Sequence, residues 1–247
     1  MPIRTDDRLI GARIIRHDSV TSTNDVAKQI ARQAGAGTVV WTGEQTQGRG
    51  TRGRIWVSPA GANLLFSVVL KPPIPPEEIS RLSLVAAVGV AEYLIRMCGL
   101  PARTKWPNDV RVDGKKIAGI LIETVPGAAI VGIGLNVNWA DLPPELAETA
   151  TSVYLQLGEE ADLGDALAGV LDSLEIAYRS FLQDGFGANL AKVRELDCTA
   201  GTEVEVSHEG NTVRGVAEGI DADGSLLVRL ADGGVRPIQA AGLIVER

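Results

Sequence analysis

Cysteine and histidine are scarce in this sequence, and their scarcity excludes several kinds of chemistry. The 247 residues include two cysteines, Cys98 and Cys198, and two histidines. Neither cysteine has a second cysteine or a histidine at a spacing typical of zinc ligands, and one distant pair is not a disulfide framework. The sequence therefore predicts two reduced, mostly buried thiols and no thiolate metal site.

Long hydrophobic runs and an excess of basic charge are also absent. The formal net charge is -7, whereas general affinity for nucleic acid usually needs a basic face. No uncharged apolar run approaches the length that crosses a membrane. Residues 1–10 carry four charges, Arg4, Asp6, Asp7 and Arg8, where a signal peptide would be apolar. We therefore expect a cytoplasmic protein that binds neither DNA nor a membrane.

The remaining composition is that of a globular protein. Hydrophobic residues make up 45% of the chain and charged residues 22%, as in an average soluble domain. The length allows one large domain, or one domain with a small appendage. After about Glu195 the pattern changes to short alternating strands. We predict two domains, residues 1–195 and 196–247.

Hydrophobic periodicity predicts an α+β fold with a mixed or antiparallel sheet and a small C-terminal β-barrel. A short helix should follow Ser22, which has Asp25 at the capping-box spacing. A long helix should run from Glu77 to Cys98 and stop at Gly99. A second apolar stripe, from Leu163 to Phe181, indicates core packing. The predicted strands lie at 38–42, 63–70, 103–105, 110–112, 117–123 and 129–133.

The segment 48–56 has the strongest chemical character. It alternates three arginines with three glycines and ends at Trp56. Glycine lets backbone N–H groups approach a ligand closely, and guanidinium groups offer paired donors to phosphate or carboxylate oxygens. A solvated basic turn would have the same composition, so the segment alone predicts an anion site only as one of two interpretations.

Four polar islands interrupt the apolar framework, and their order decides between these interpretations. Together they closely resemble the catalytic part of biotin protein ligases, enzymes that adenylate biotin with ATP and pass it to a lysine of a carrier domain. The resemblance extends from about residue 14 to the C-terminus. The islands are Ser22-Thr23-Asn24, the segment 44–56, Lys105-Trp106-Pro107-Asn108-Asp109 followed by Lys116, and the segment 132–138.

The resemblance implies a biotin site with polar groups for the ureido ring and cations for the carboxylate. An unpaired polar group buried beside the ring would cost roughly 1–3 kcal/mol, so short donors and acceptors are needed there. Arg49 and Lys116 are the implied catalytic cations, because a carboxylate that attacks a phosphate must overcome like-charge repulsion. The implied biotin-binding residues are Ser22, which could equally cap a helix, Thr23, Asn24, Gln45, Gly48, Arg49, Gly50, Thr51, Lys116 and Gly119.

The resemblance also implies a nucleotide site. Trp56 is expected to pack beside the adenine, with core packing as the alternative. Asp109 is expected to meet the Mg²⁺ that accompanies ATP. Gly132 and Gly134 lack the third spaced glycine of a dinucleotide fingerprint. The implied ATP- or adenylate-binding residues are Arg52, Arg54, Trp56, Lys105, Asn108, Gly132, Gly134 and Asn136.

One residue departs from the family pattern. Thr51 stands where a second arginine is usual, and a threonine cannot place a guanidinium near the activated ligand. We therefore predict that biotinyl-adenylate leaves this protein faster than it leaves relatives with the arginine. The substitution Thr51→Arg should slow release of the adenylate in a filter-binding or stopped-flow measurement, and an unchanged off-rate would contradict the prediction.

The resemblance finally implies a class II synthetase-like catalytic domain and a set of partners. The expected protein partner is the biotin carboxyl carrier domain of a biotin-dependent carboxylase, and the family allows a homodimer. Only 21 residues precede Ser22, so we expect the DNA-binding domain of the regulatory family members to be absent. ATP with Mg²⁺ and biotin are the expected substrates.

Three alternatives stay open at the level of the sequence. A lipoate or octanoate ligase or transferase of the same superfamily would share the fold, although Thr23, Asn24 and Gln45 favour a ureido ring over an aliphatic dithiolane. A biotin or nucleotide sensor would not need two cations at one centre. An RNA-binding arginine-glycine protein conflicts with the acidic net charge. The general base for transfer to the carrier lysine is unassigned.

Overall fold

Two β-sheets form the framework of the structure, a computed structural model that describes residues 8–208, 211–240 and 244–245. Residues Arg4, Asp6 and Asp7, from which the lack of a signal peptide was predicted, lie outside these ranges. The strands are β1 (Ile14–Val20), β2 (Thr38–Gln45), β3 (Leu64–Leu70), β4 (Arg103–Lys105), β5 (Asp109–Val112), β6 (Lys115–Val125), β7 (Ala128–Leu135), β8 (Glu203–His208), β9 (Asn211–Ile220), β10 (Leu226–Arg229), β11 (Val235–Ile238) and β12 (Ile244–Val245).

The larger sheet is mixed, which confirms the predicted α+β class. Its strand order is β1-β2-β3-β7-β6-β5-β4, with β12 pairing to β6. The β1–β2 and β6–β12 pairs are parallel and the others are antiparallel. The sequence did not predict β1, because this edge strand alternates exposed and half-buried positions and gives only a weak apolar signal.

Helices cover both faces of this sheet. The helices are α1 (Thr23–Ile30), α2 (Arg81–Cys98), α3 (Pro144–Ala147), α4 (Val153–Leu157), α5 (Leu163–Asp184) and α6 (Phe186–Leu196). Ala27 of α1 packs with Val40, Val69 and Ile130, whereas the residues next to these along the strands belong to the larger core that includes α2 and α5. Alternate strand residues point to opposite faces, so α1 packs on one face of the sheet and α2 and α5 pack on the other. Within the described residues, no helix is long and apolar enough to cross a membrane.

The helix ends differ from the sequence prediction at two places. The long helix ends at Gly99 in the left-handed conformation, as predicted, but it begins at Arg81 after a short 3₁₀ turn, Pro76–Glu78. Ser22 precedes α1 without a side-chain capping hydrogen bond. The predicted capping box is therefore wrong, because the carboxylate of Asp25 binds Arg49 instead.

The second sheet contains β8 to β11 in the order β11-β10-β9-β8, all antiparallel. Strands β11 and β8 do not pair within the described residues, so the predicted small β-barrel is an open four-stranded sheet there. The indole N–H of Trp106 donates to the Gly224 carbonyl at 3.1 Å, and Arg81 donates to the Asp223 carbonyl at 3.0 Å. These bonds attach the small sheet to the larger unit. The boundary at residue 195 stays a prediction.

The two thiols are free, as predicted, but they are half-buried rather than mostly buried. Burial raises the pKa of both Cys98 and Cys198 above the usual thiol range. A raised pKa leaves less thiolate at neutral pH, so neither residue has the character of a reactive cysteine.

Candidate active site

A cleft of about 340 Å³ opens on the sheet face that carries α1. Residues of all four predicted polar islands line it, together with Thr199, Glu203 and Glu205 near and in the small sheet. The predicted residues in its wall are Ser22, Thr23, Asn24, Gln45, Arg49, Gly50, Thr51, Arg52, Arg54, Trp56, Lys105, Asn108, Asp109, Lys116, Gly119, Gly132 and Gly134.

Three glycines form the floor of the cleft. Gly119 of β6 lies directly opposite Gly134 of β7. Gly132 is two residues before Gly134 on β7, so the two glycines lie on the same face of the sheet. A Cβ on Gly132 would lie 2.3 Å from Asn24 Oδ1, and one on Gly134 would lie 2.5 Å from the Trp56 ring. Side chains can approach the sheet this closely only where the strand has no side chain of its own. The floor therefore has an Asn24 end and a Trp56 end.

A hydrogen-bonded polar cluster occupies the Asn24 end. Gln45 Oε1 accepts from the Thr23 backbone N–H at 2.8 Å and lies 3.1 Å from the Thr23 hydroxyl. The buried Ser67 hydroxyl lies 2.7 Å from Thr23 Oγ1 and 2.6 Å from Asn24 Oδ1. These bonds fix donors and acceptors in the cleft wall before any ligand arrives.

Arg49 lies beneath this cluster, between two carboxylates. Its guanidinium donates to both oxygens of Asp25, at 2.8 and 2.6 Å, and to Glu123 Oε2 at 3.2 Å. Hydrogen bonding from Arg49 lowers the pKa of Asp25, and the Asp25 hydrogen bond in turn raises the pKa of Arg49. A guanidinium has five N–H donors, so the Nε hydrogen and one hydrogen on Nη1 are left for a ligand anion.

The lowered pKa of Asp25 predicts a loss of stability in acid. An ionised Asp25 stabilises the fold above the ordinary aspartate range, near pH 4, and this contribution disappears as the pH falls through its lowered folded value. Asp25→Asn should lower the free energy of unfolding by about 1–2 kcal/mol at neutral pH. The gap in Tm between the wild type and this variant should narrow below about pH 4.

Thermal unfolding at several pH values measures that gap. Asp184→Asn is a suitable control, because Asp184 is exposed and has no ion pair within the described ranges. A gap between wild type and Asp25→Asn that stays constant from pH 7 to pH 3 would contradict the assigned role of Asp25.

Lys116 occupies the Trp56 end of the floor. Its ammonium lies 2.5 Å from Asp109 Oδ1 and 5.5 Å from the centroid of the Trp56 ring. The two charged side chains are about one third and one fifth exposed, at 31% and 22%. Asp109, predicted to meet Mg²⁺, is thus the counter-ion of Lys116. The described residues contain no group of three metal-ligating side chains. The magnesium role of Asp109 stays a prediction.

The arginine-glycine segment folds as a small hairpin above the floor. Trp56 donates its backbone N–H to Gly48, at 3.0 Å, and Gly50 donates to Arg54, at 2.7 Å. A 3₁₀ turn, Thr51–Gly53, forms the tip, where Arg52 adopts the left-handed conformation with φ 58°. That conformation costs a non-glycine residue about 1–2 kcal/mol. The strain is stored at the cleft rim.

Three cations at the rim form no ion pair within the described part of the chain. Arg52, Arg54 and Lys105 have no carboxylate at ion-pair distance there. All three line the cleft. Arg49 and Lys116 have acidic partners at the floor, so the rim carries the uncompensated positive charge. Such a rim favours a polyanionic ligand over a monovalent carboxylate.

Two predicted residues lie outside the cleft wall. Gly48 is buried, and a Cβ there would lie 2.4 Å from the Trp56 carbonyl oxygen, so its role is to let the hairpin close. Asn136 is also buried, and its amide donates to the Thr151 carbonyl at 2.9 Å. Asn108 does line the cleft, but its amide donates to the Ile120 carbonyl at 2.8 Å, which leaves Oδ1 for a ligand.

The chain matches two known families over most of its length. Residues 16–139 match the biotin/lipoate A/B protein ligase family, and residues 199–244 match the biotin protein ligase C terminal domain. It is 34% identical to the bifunctional ligase/repressor BirA of Bacillus subtilis, over 95% of this chain and 74% of that protein. The chain belongs to the biotin protein ligase family.

Other members of the biotin protein ligase family are similar along nearly the whole chain. The biotin–[acetyl-CoA-carboxylase] ligase of Mycobacterium tuberculosis is 32% identical, over 97% of this chain and 93% of the relative. The biotin protein ligase of Aquifex aeolicus, solved with biotin and ATP, is 30% identical with a TM-score of 0.84, covering 93% of this chain and 97% of that one.

Sequence reasoning missed several residues that organise this ligase-family site. Ser67 lies inside an apolar strand, where a single serine gives little signal. Glu123 gave a stronger signal, because a charged residue in an otherwise apolar buried strand needs a partner. The wall formed by Glu203, Val204 and Glu205 could not be found from local pattern, because it depends on how the small sheet packs.

Proposed function

We propose that this protein activates biotin with ATP and transfers the biotinyl group to a lysine of a biotin carboxyl carrier domain. The proposal rests on the arrangement of side chains in one cleft. A preformed polar cluster at the Asn24 end suits the ureido ring, the unpaired cations of the rim suit phosphates, and Lys116 lines the same cleft at the Trp56 end. Biotin and ATP would meet at Lys116, where the biotin carboxylate is activated.

In the first step, an oxygen of the biotin carboxylate attacks the α-phosphorus of ATP. The new C–O–P linkage forms biotinyl-5′-AMP, and the bond to pyrophosphate breaks. Lys116 reduces the repulsion between the two anions, and Arg52, Arg54 and Lys105 hold the charge of the departing pyrophosphate. Mg²⁺ carried on the ATP phosphates would neutralise part of their charge.

In the second step, the ε-amine of the carrier lysine attacks the carbonyl carbon of the mixed anhydride. An amide bond forms, the bond to the phosphate oxygen breaks, and AMP leaves with the electron pair. The amine loses a proton whose acceptor is unassigned. No nucleophile of the enzyme is required, which agrees with the absence of a reactive thiol among the described residues.

The lipoate or octanoate alternative fits the cleft less well. A dithiolane or alkyl chain offers no donors or acceptors to Thr23, Asn24 and Gln45, so these groups would be desolvated without partners at roughly 1–3 kcal/mol each. The requirement for ATP agrees with the predicted cytoplasmic location. The proposal allows a homodimer but does not require one.

Transfer to a purified biotin carboxyl carrier domain tests the proposal. With biotin, ATP and Mg²⁺, mass spectrometry should find one biotinyl group on one carrier lysine, with one AMP released per transfer. The carrier variant with that lysine changed to arginine should stay unmodified. Modification with lipoate or octanoate in place of biotin would overturn the substrate assignment.

A further inference from the structure

Glu123 is a buried carboxylate that neither chemical step uses. It lies on β6, on the sheet face that carries α1, and its side chain is 3% exposed. Its neighbours on that face are Asn24, Lys28 and Arg49. Burying a carboxylate is costly unless it is paired and hydrogen-bonded. Glu123 must therefore have partners that stabilise its charge beside the cleft.

Within the described residues, the three side chains that hydrogen-bond to the Glu123 carboxylate are all donors. Oε2 accepts from Asn24 Nδ2 at 2.6 Å and from Arg49 Nη2 at 3.2 Å, and Oε1 accepts from Lys28 Nζ at 3.2 Å. An amide at this position would have to turn its NH₂ group toward one of these donors. Only a carboxylate satisfies all three neighbours together.

These contacts fix which way the Asn24 amide points. Because a carboxylate only accepts, Asn24 must turn Nδ2 toward Glu123 and Oδ1 toward Ser67, whose hydroxyl lies 2.6 Å from Oδ1. One N–H hydrogen and one lone pair of the Asn24 amide are left for the cleft. Glu123 therefore determines where the Asn24 amide presents its donor to the cleft and where it presents its acceptor.

We infer that Glu123 is a positioning residue of the biotin site, which orients the Asn24 amide and anchors Arg49 without touching the ligand. The inference rests on the proposed function. Glu123 acts at the Asn24 end of the floor, because its partners are Asn24, Lys28 and Arg49. Among the residues that the structure describes, it has no contact with Lys116, Trp56 or the cations of the rim. Its loss should therefore affect biotin and spare ATP.

The test is Glu123→Gln, measured by biotin-dependent exchange of pyrophosphate into ATP and by equilibrium binding of labelled biotin. The amide can rotate so that its NH₂ donates to Asn24 Oδ1, which allows the Asn24 amide to flip and present the wrong polarity. The Kd and KM for biotin should rise about ten- to hundredfold, and the KM for ATP should change less than about twofold.

Glu175→Gln is the matched control. Glu175 is also fully buried, with 0% of its side chain exposed, and it accepts from Arg179 and from the backbone N–H groups of Leu9 and Ile10, away from the cleft. This variant should lose stability without changing either KM. Equal rises of both KM values in Glu123→Gln, or an unchanged Kd for biotin, would overturn the inference.

A double-mutant comparison separates action through Asn24 from a general effect. If Glu123 acts by orienting Asn24, Glu123→Gln should add less than about threefold to the biotin KM of Asn24→Ala. If the effects of the two substitutions on the biotin KM multiply fully, Glu123 does not act through Asn24. If Glu123→Gln does not fold, Glu123→Asp keeps the charge but is too short for all three partners, and it should show the same selective rise for biotin.

Measurements on the wild-type protein distinguish failure of the proposed function from failure of the positioning role of Glu123. Absence of biotin-dependent exchange in the wild type would reject the proposed function itself. Exchange in the wild type together with an unselective Glu123→Gln variant would reject only the positioning role.

Discussion

Replacing Lys116 with alanine should lower the rate of biotin-dependent pyrophosphate exchange about 10²- to 10³-fold, as removal of one group that stabilises developing charge does in other enzymes. Lys116 is the cation at the Trp56 end of the floor, 2.5 Å from Asp109. Its charge is needed most when the carboxylate and the α-phosphate approach. The values of kcat and kcat/KM should therefore fall together.

The neighbouring lysine provides the control for this variant. Lys115 precedes Lys116 on β6, but its ammonium donates to the Ala147 carbonyl at 2.8 Å on the surface. Lys115→Ala should keep nearly full exchange activity. Lys116→Ala leaves Asp109 partly exposed to water, so its stability should change by less than about 1 kcal/mol. Full activity in Lys116→Ala would remove this residue from the reacting centre.

Two alanine substitutions on one strand should separate biotin binding from nucleotide binding. In Gly132→Ala the methyl group would overlap Asn24, which is held by Glu123 and Ser67 and has no free rotation. In Gly134→Ala the methyl group would overlap the Trp56 indole. Gly132→Ala should raise the KM for biotin by about tenfold or more, and Gly134→Ala should raise the KM for ATP by a similar factor.

Gly187→Ala is the control for these substitutions. No heavy atom lies within 4 Å of a Cβ at Gly187, and the residue is in α6, away from the cleft. Alanine there should be neutral or slightly stabilising, by up to about 1 kcal/mol. Steady-state kinetics with one substrate varied at a time provide the measurement. The division of the floor into two ends would be wrong if both cleft variants raised both KM values equally.

The sequence predicted the elements whose signals are local. Helix α2 follows a long apolar periodicity and ends at a glycine that adopts φ 67°. Strand β3 is apolar except for Ser67, and the first half of β2 is mostly apolar, as expected for a sheet covered on both faces. The site islands could also be found, because each combines polar residues with glycine or proline inside an apolar framework.

The charge pairs of the site could not be predicted, because they join residues far apart in the sequence. Arg49 was predicted as a cation that binds the ligand, and the structure shows that Asp25 and Glu123 take three of its N–H donors. Asp109, which was expected at a metal, pairs with Lys116. Such pairings depend on the sheet register that places β5 beside β6 and α1 above both β6 and β7.

Biotin-dependent exchange of labelled pyrophosphate into ATP is the decisive measurement for biotin activation, because it needs only the first step and no carrier protein. We expect exchange with biotin that depends on Mg²⁺ and persists with excess lipoate or octanoate present. Exchange that lipoate or octanoate supports and biotin does not would show that biotin is not the substrate. The absence of exchange with all three acids would show that the protein does not activate any of them.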